Sequence, residues 1–173
     1  MDMSLNTHLA SSLADYENLP CYKKVVVIHD FLYHLCGRCS RCAYVSSDAM
    51  IKAARMCELN IMEGCLDMAI SPKVGLEMLK SAHGSLVRLR QLLGDVISMN
   101  YKGMWMPDSA KYRKMWEFGE ESDDPQDLIY MASKSDVVVE ANMLIVLVDQ
   151  ANGMLYSLIQ SVARELSAVA SRR

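Results

Sequence analysis

The sequence predicts an all-α protein, an antiparallel up-down-up-down four-helix bundle with a long insertion before the last helix. Apolar residues recur at helical spacing over four segments, short links join the first three, and the helical period continues through the β-branched runs near the end. The chain has 173 residues, 51% of them hydrophobic, which suits one domain with a substantial core. We expect residues 1–173 to form that domain, with helices over about 20–37, 48–70, 72–100 and 128–170 and a connection over 101–127.

The first predicted helix begins after Leu19-Pro20, because proline is tolerated in a first helical turn. Apolar side chains then recur at helical spacing from Tyr22 to Cys36. The same helix carries a second apolar stripe: Ile28, Phe31 and Leu35. Two stripes bury more of a helix than a monomeric bundle needs, so this helix indicates a subunit interface.

Capping signals place the next two helices. Ser46-Ser47-Asp48 is the predicted N-cap of the second helix. Ser71 is expected to cap the third helix, with Pro72 in its first position. The third helix has the clearest helical pattern, a heptad with two apolar lines: Gly75, Ala82, Leu89 and Val96, and Leu79, Leu86 and Leu93.

The insertion breaks this pattern with two glycines, two prolines and six acidic side chains between Glu117 and Asp127. We expect a connection that contains a short helix around residues 109–118. The last helix is predicted as one continuous element. Its apolar run Val137–Val148 includes Glu140 and Asn142 and is shorter than the roughly 20 residues that span a bilayer, so we interpret it as a buried helix and expect no membrane contact.

Charge and cysteine usage limit the class of protein. Residues 1–114 contain 14 Lys and Arg against 11 Asp and Glu, a net charge of +3, whereas residues 115–173 contain 4 against 10, a net charge of -6. The total of -3 is too small to indicate a nucleic-acid or membrane surface by itself. The segment from Met1 to Asn18 lacks the features of a secretory signal, so we expect a cytoplasmic protein whose six cysteines are reduced.

Three of the cysteines, Cys36, Cys39 and Cys42, have CxxCxxC spacing. This spacing lets successive sulfurs converge on a zinc ion or an iron–sulfur cluster, although a fourth ligand has to come from elsewhere. The alternative is that small, soft side chains fill a helix end and its turn. We expect no metal and no cofactor, and the triplet stays open as an alternative metal site.

Motifs for catalysis are not found in the sequence. It contains no phosphate-binding glycine loop, no nucleophile elbow and no HExxH pair. We therefore expect a protein that is not an enzyme and has no catalytic residues.

Basic side chains are the candidate binding residues. Lys and Arg beside aromatic rings suit single-stranded nucleic acid, because cations neutralise phosphates while rings stack on bases. Residues 111–116 add further cations beside aromatic rings. The alternative is that these charges lie on solvated outer faces of helices. The predicted nucleic-acid or partner contacts are Lys23, Lys24, Arg38, Arg41, Lys52, Arg55, Arg88 and Arg90.

Short segments between Leu19 and Tyr101 carry a resemblance to a known family. They are Leu19-Pro-Cys-Tyr-Lys-Lys24, Asn60-Ile-Met-Glu-Gly64, Ala82-His-Gly-Ser-Leu86 and Leu89-Arg-Gln-Leu-Leu93. In order and spacing they resemble the bacterial four-helix-bundle proteins encoded in intervening sequences of 23S ribosomal RNA, together with their relative, the accessory variability determinant of diversity-generating retroelements. The resemblance covers about half of the chain.

The retroelement branch implies a homo-oligomer, a pentamer, with no enzymatic activity. It implies binding to a reverse transcriptase and its template RNA, and to DNA, in support of mutagenic cDNA synthesis in a bacterium or phage. The intervening-sequence branch implies a structural or interaction role instead. This chain departs from the retroelement pattern because it is net acidic and because residues 101–127 have no counterpart. The cysteine triplet lies outside the pattern of the family.

Overall fold

The computed structural model describes residues 10–38, 47–122 and 124–171. Most of these residues are helical and none of them lies in a strand, so the all-α prediction is confirmed. Residues 10–14 are helical, and a 3-10 turn, Tyr16–Asn18, leads into the first long helix. The helices that follow are α1 (Pro20–Arg38), α2 (Ser47–Asp67), α3 (Pro72–Met99), α4 (Ala110–Glu121), α5 (Pro125–Ser133) and α6 (Val137–Ala170).

The first three long helices lie close to their predicted bounds. Helix α2 ends three residues early, at Asp67, and a turn leads to Ser71. Ser71 has an extended backbone with φ of -144°, as expected for the residue before a proline, and its hydroxyl makes no capping bond. Pro72 therefore begins α3 as predicted, whereas side-chain capping by Ser71 is wrong. The predicted cap of α2 includes Ser46, which lies outside the described residues.

The prediction of one continuous last helix over residues 128–170 is wrong. The chain forms α5 and then α6, with a break after Ser133. Asp136 caps α6, since its carboxylate accepts a hydrogen bond of 2.8 Å from the Val139 N–H. Asp124 caps α5 in the same way at Gln126, so Pro125 starts a helix instead of lying in the connection. Two local N-caps prevail over an apolar period that continues across the break.

The insertion contains the expected short helix, α4. Ser109 is its N-cap and accepts a hydrogen bond of 3.2 Å from the Tyr112 N–H. Helix α4 packs on α6, and α5 packs on α1 and α6. The insertion is therefore largely a second layer that covers α6.

The long helices pack in a closed series. Helix α2 packs on α1 and α3, and α6 packs on α1 and α3. The second apolar stripe of α1 is completely buried inside this single chain: Ile28, Phe31 and Leu35. Helix α6 is also enclosed, with all of residues 140–148 buried, because α4 and α5 cover its outer side. The other stripe of α1 is only partly covered within one chain, since Tyr22 and Val26 are half-buried and Tyr33 is 54% exposed.

Helix α6 is long and apolar enough to cross a bilayer by length and composition, with a mean hydropathy of 1.3 over its most apolar window. Of that window, 67% is buried inside the protein. The core helix of a soluble protein has the same composition, because both environments exclude water. The prediction that Val137–Val148 is buried helix is confirmed for all but its first three residues, which are half-buried.

Two glycines set the distance between α2 and α3. A Cβ atom added to Gly75 would lie 2.6 Å from the carbonyl oxygen of Gly64, and one added to Gly64 would lie 3.0 Å from the carbonyl oxygen of Gly75. Both distances are shorter than van der Waals contact, and the atoms involved are backbone atoms that cannot rotate away. The absence of side chains at these two positions lets the helices approach closely.

We expect Gly75→Ala to destabilise the protein by about 1–3 kcal/mol, because the added methyl group forces the two backbones apart. Gly84→Ala is the matched control on the same helix, since no atom of the described residues from other parts of the chain lies within 4 Å of a Cβ there. The control should be stabilised by up to about 1 kcal/mol through helix propensity. Urea unfolding followed by circular dichroism measures both changes. Equal free energies of unfolding for the two variants would contradict the close approach.

Candidate nucleic-acid interface

A groove between α2 and α3 brings together two of the predicted basic residues, Lys52 and Arg88. Its volume is about 530 Å³, and both side chains are exposed. Neither side chain forms an ion pair with any residue that the structure describes. The other lining residues are small or uncharged: Ala49, Ala53, Met56, Ser81, Gly84 and Ser85. We call this feature the α2–α3 groove.

The helical spacing of the groove residues explains its shape. Gly84 and Ser85 lie three and four residues after Ser81, and Arg88 lies four and three residues after them, so all four lie on one face of α3. The Ser85 hydroxyl donates to the carbonyl oxygen of Ser81, and the Ser81 hydroxyl donates to that of Glu77. Since both hydroxyl protons are used within the helix, the donors available to a ligand in the groove are the side chains of Lys52 and Arg88.

Arg55 lies one turn from Lys52 but has its own partner. Its side chain is 59% exposed, and its Nη1 lies 3.2 Å from Oε2 of the buried Glu58. The other carboxylate oxygen of Glu58 lies 2.5 Å from His29 Nδ1. The His29 and Glu58 atoms are close enough for an ion pair, but they are not aligned as a hydrogen bond. The charge of Arg55 is therefore partly balanced by Glu58, and exposure leaves part of the guanidinium accessible.

Lys23 is exposed in a different cavity, of about 360 Å³, between the 3-10 turn, α1 and the start of α5. Two carboxylates, Glu17 and Asp30, line the same cavity. They lower the positive potential around Lys23, so this region attracts phosphate less than the α2–α3 groove does. Arg41 lies outside the described residues.

Three other predicted contacts are cations that connect helices within the chain. Lys24 is buried on α1 and donates to the Gly119 carbonyl oxygen on α4. Arg38 donates to Glu140 Oε2 at 2.9 Å and also to the carbonyl oxygens of Ala132 and Ser135. The third cation is Arg90, on α3, and its partner is Asp149 on α6. These three side chains bind carbonyl or carboxylate oxygens of the same chain, so their charges are less available to a ligand.

Asp149 joins three helices. Its carboxylate accepts hydrogen bonds from Arg90 Nε at 2.6 Å, from Arg90 Nη2 at 3.3 Å and from the Tyr112 hydroxyl at 2.9 Å. Burial, and then the hydrogen bond to Asp149, raise the pKa of Tyr112 well above its ordinary value. The same carboxylate raises the pKa of Arg90. Tyr112 thus stays a neutral donor and anchors α4 to the long helices.

We expect Asp149→Ala to lower the free energy of unfolding by about 1–3 kcal/mol, because Arg90 and the Tyr112 hydroxyl lose their partner where water reaches them only in part. Glu77→Ala is the control, since its Lys80 partner is exposed, and we expect a change within about 0.5 kcal/mol. Urea unfolding measures the difference. Hydrogen exchange should also speed up in α4, and a variant as stable as the control would contradict this role.

The cysteines that the structure describes are free thiols. Burial raises the pKa of Cys21 to about 11 and that of Cys65 to about 12, and it raises the pKa of Cys57 still further above the ordinary value. Cys36 is half-buried, and its pKa is raised by the same cause. Among the described residues, no group of three or more His, Cys, Asp or Glu side chains is placed to bind a metal. Cys39 and Cys42 lie outside those residues, so the CxxCxxC alternative stays a prediction.

We expect Cys21, Cys57 and Cys65 to resist iodoacetamide at pH 8 in the native protein. A thiol with a pKa of about 11 is ionised in roughly one molecule in a thousand at that pH, and burial also blocks access. Peptide mass spectrometry with and without urea measures labelling at each site. Cys36 should react faster than the three buried thiols. Rapid labelling of the buried thiols without urea would contradict the packing of α1 on α2.

The comparisons with known proteins give no match: no family model fits the chain, and no curated protein or solved structure is detectably similar to it. The resemblance to the intervening-sequence and retroelement proteins stays a prediction.

The sequence predicted Lys52, Arg88, Arg38 and Arg90 alike as binding residues. It did not reveal the carboxylates that pair with Arg38 and Arg90 inside the protein. Asp149 and Glu140 lie far along the chain from the arginines that they bind. By contrast, the spacing of Ser81, Gly84, Ser85 and Arg88 is visible in the sequence and predicts one shared helix face.

Proposed function

We propose that this protein is a non-enzymatic, cytoplasmic accessory protein that binds RNA and a reverse transcriptase in a diversity-generating retroelement. The α2–α3 groove is the observation that supports RNA binding, because its two cations have no ion-pair partner in the described part of the chain. The segments between Leu19 and Tyr101 that resemble the retroelement family support the assignment to that system.

We also propose that α1, α2, α3 and α6 form the antiparallel up-down-up-down bundle that the sequence predicts. Contacts between α3 and α6 support this arrangement. Arg90, late in α3, pairs with Asp149 early in α6. His83, earlier in α3, lies beside Tyr156, later in α6, with 6.2 Å between the ring centroids. As one helix is followed forward the partner residue moves backward, which is the behaviour of an antiparallel pair.

RNA would bind the groove through its phosphates. Lys52 and Arg88 each neutralise one phosphate and release counterions, which makes the affinity depend on salt. The small side chains between them let a backbone approach closely, and no described atom lies within 4 Å of a Cβ added at Gly84. Arg55 lies one turn along α2 and extends the basic surface.

The acidic part of the chain lies elsewhere. Glu117, Glu120 and Glu121 are exposed on α4, which packs on α6. Carboxylates repel RNA, so the C-terminal half of α4, where these three residues lie, is suited to a basic protein surface such as that of a nucleic-acid polymerase. The groove and the C-terminal half of α4 thus offer separate surfaces to RNA and to the reverse transcriptase.

Homo-oligomerisation stays part of the proposal, with five subunits as the resemblance implies. The stripe of Ile28, Phe31 and Leu35 and residues 140–148 of α6 are buried in one chain, so surfaces that stay exposed are the candidates for the interface. Exposed apolar side chains surround the turn between α2 and α3: Leu66, Ile70 and Val74. Light scattering on the purified protein measures the subunit number.

The proposal is tested by affinity purification from the native host, with mass spectrometry and RNA sequencing of the co-purified material. A reverse transcriptase together with one abundant structured RNA is the expected result. An oligomer that carries neither of them would overturn the retroelement function and leave the fold unaffected.

We expect Lys52→Glu/Arg88→Glu to weaken binding of a fluorescein-labelled oligoribonucleotide at least tenfold. The slope of log affinity against log salt should fall in magnitude by roughly 0.7 for each phosphate that the protein no longer neutralises. Lys102→Glu/Lys134→Glu is the control, because it makes the same charge change at exposed positions that do not line the groove. Fluorescence anisotropy at several salt concentrations measures the affinities. Equal losses in both variants would indicate a general charge effect and contradict a site in the groove.

A further inference from the structure

A third cavity lies where the insertion meets α6. Its volume is about 310 Å³, which falls in the range of small-molecule sites. It is lined by residues of the connection, α4, α5 and α6. We call it the tryptophan cleft, and its principal residues are Trp105, Lys111, Lys114, Met115, Met131 and Met143.

The walls of the tryptophan cleft are apolar and adaptable. Met115 and Met143 are buried, Trp105 is half-buried, and Met131 is exposed. Methionine is flexible and polarizable, and its sulfur packs favourably against aromatic rings. The indole of Trp105 adds a flat aromatic surface. An aromatic ring of a ligand is the shape and chemistry that these walls fit best.

The cleft is fixed in place by a polar side chain of the enclosed helix. Asn142 Oδ1 accepts a hydrogen bond of 2.6 Å from the Trp105 backbone N–H. The amide nitrogen of Asn142 donates to the carbonyl oxygens of Gly103 and Val138. Asn142 itself is buried. The connection is therefore anchored to α6 on both sides of Met104, and Trp105 is positioned before any ligand binds.

Two lysines, Lys111 and Lys114, line this apolar cavity. Lys111 Nζ lies 6.0 Å from the Trp105 ring centroid, the distance of a cation–π contact. Lys114 follows three residues later on α4, on the same side of the helix. Neither lysine has an ion pair with a residue in the described ranges. A ligand that fits this arrangement has an apolar body and an anionic group.

We propose that the tryptophan cleft binds a small aromatic carboxylate. The ring packs against Trp105 and the methionines, and the carboxylate lies between the ammonium groups of Lys111 and Lys114. A simple inorganic anion would leave the apolar walls unused. A neutral aromatic molecule would leave both ammonium groups without an anionic partner. The residues that line the tryptophan cleft differ from those that line the α2–α3 groove. Ligand binding in the cleft and RNA binding in the groove can therefore be tested independently.

The test uses the full chain and 2-naphthoate as the probe, with 2-naphthalenemethanol as the neutral molecule of similar shape. Isothermal titration calorimetry measures affinity, and the two indole N–H signals in a nitrogen-15 NMR spectrum report the place of binding. The chain has two tryptophans, and Trp116 does not line the cleft. We expect 2-naphthoate to bind more tightly than the alcohol and to shift the Trp105 signal more than the Trp116 signal.

Variants assign the interaction to the cleft. Lys111→Met/Lys114→Met should weaken 2-naphthoate binding about five- to tenfold, the loss expected for two exposed charge contacts, and leave the alcohol unchanged. Val139→Trp fills the cleft from the α6 side and should abolish binding of both probes. Lys73→Met/Lys80→Met, on α3, is the control and should bind like the unmodified chain. Circular dichroism checks that each variant is folded.

The experiment distinguishes failure of the ligand proposal from failure of RNA binding in the groove. No binding of 2-naphthoate, equal binding of both probes, or an unchanged affinity in the folded Lys111→Met/Lys114→Met variant would overturn the proposal. A shift of the Trp105 signal by an oligoribonucleotide but not by 2-naphthoate would also overturn it, and would assign the cleft to RNA. Loss of RNA binding in Lys52→Glu/Arg88→Glu with naphthoate binding intact would support two independent sites.

Discussion

The early part of α6, residues 140–148, is buried on every side, and the rest of the structure depends on this enclosure. A helix without access to water has to satisfy each polar side chain from its neighbours. Three polar side chains on α6 bind other elements and fix them in place, although Gln150, just after this part, uses only its amide donor and its Oε1 has no hydrogen-bond partner among the described residues. Glu140 binds His34 and Arg38 of α1, Asn142 binds the backbone of the connection, and Gln150 donates to the Trp116 carbonyl oxygen on α4.

This enclosure also divides the surface of the molecule. On one side, α4 and α5 form a second layer over α6, and the tryptophan cleft lies where that layer meets the helix. On the other side, α2 and α3 approach closely at Gly64 and Gly75, and the groove with Lys52 and Arg88 stays open. The acidic residues of the insertion are exposed on the layer of α4. The groove with its two cations and the carboxylates at the end of α4 therefore lie on separate layers of the molecule.

The exposure of individual basic residues could not be predicted from the sequence. Lys23 and Lys24 are adjacent in the chain, yet one is exposed and the other is buried against α4. Arg88 and Arg90 are separated by a single residue and point to different sides of α3, so Arg88 lines the groove while Arg90 pairs with Asp149. All four carry the same charge in the sequence. Which of them is available to a ligand depends on carboxylates and carbonyl groups from distant parts of the chain.

The sequence by itself determined the all-α class, the bounds of α1 to α3 within a few residues and the short helix that Ser109 caps, because periodicity, proline and capping act over a few neighbouring residues. Only the tertiary structure decided that α5 and α6 are separate, that one apolar stripe of α1 and residues 140–148 of α6 are buried within one chain, and that Trp105 meets Lys111 beside a cavity. These features depend on contacts between residues far apart in the chain. Local patterns carry little information about such contacts, since a buried stripe looks the same whether its cover is a helix of the same chain or a second subunit.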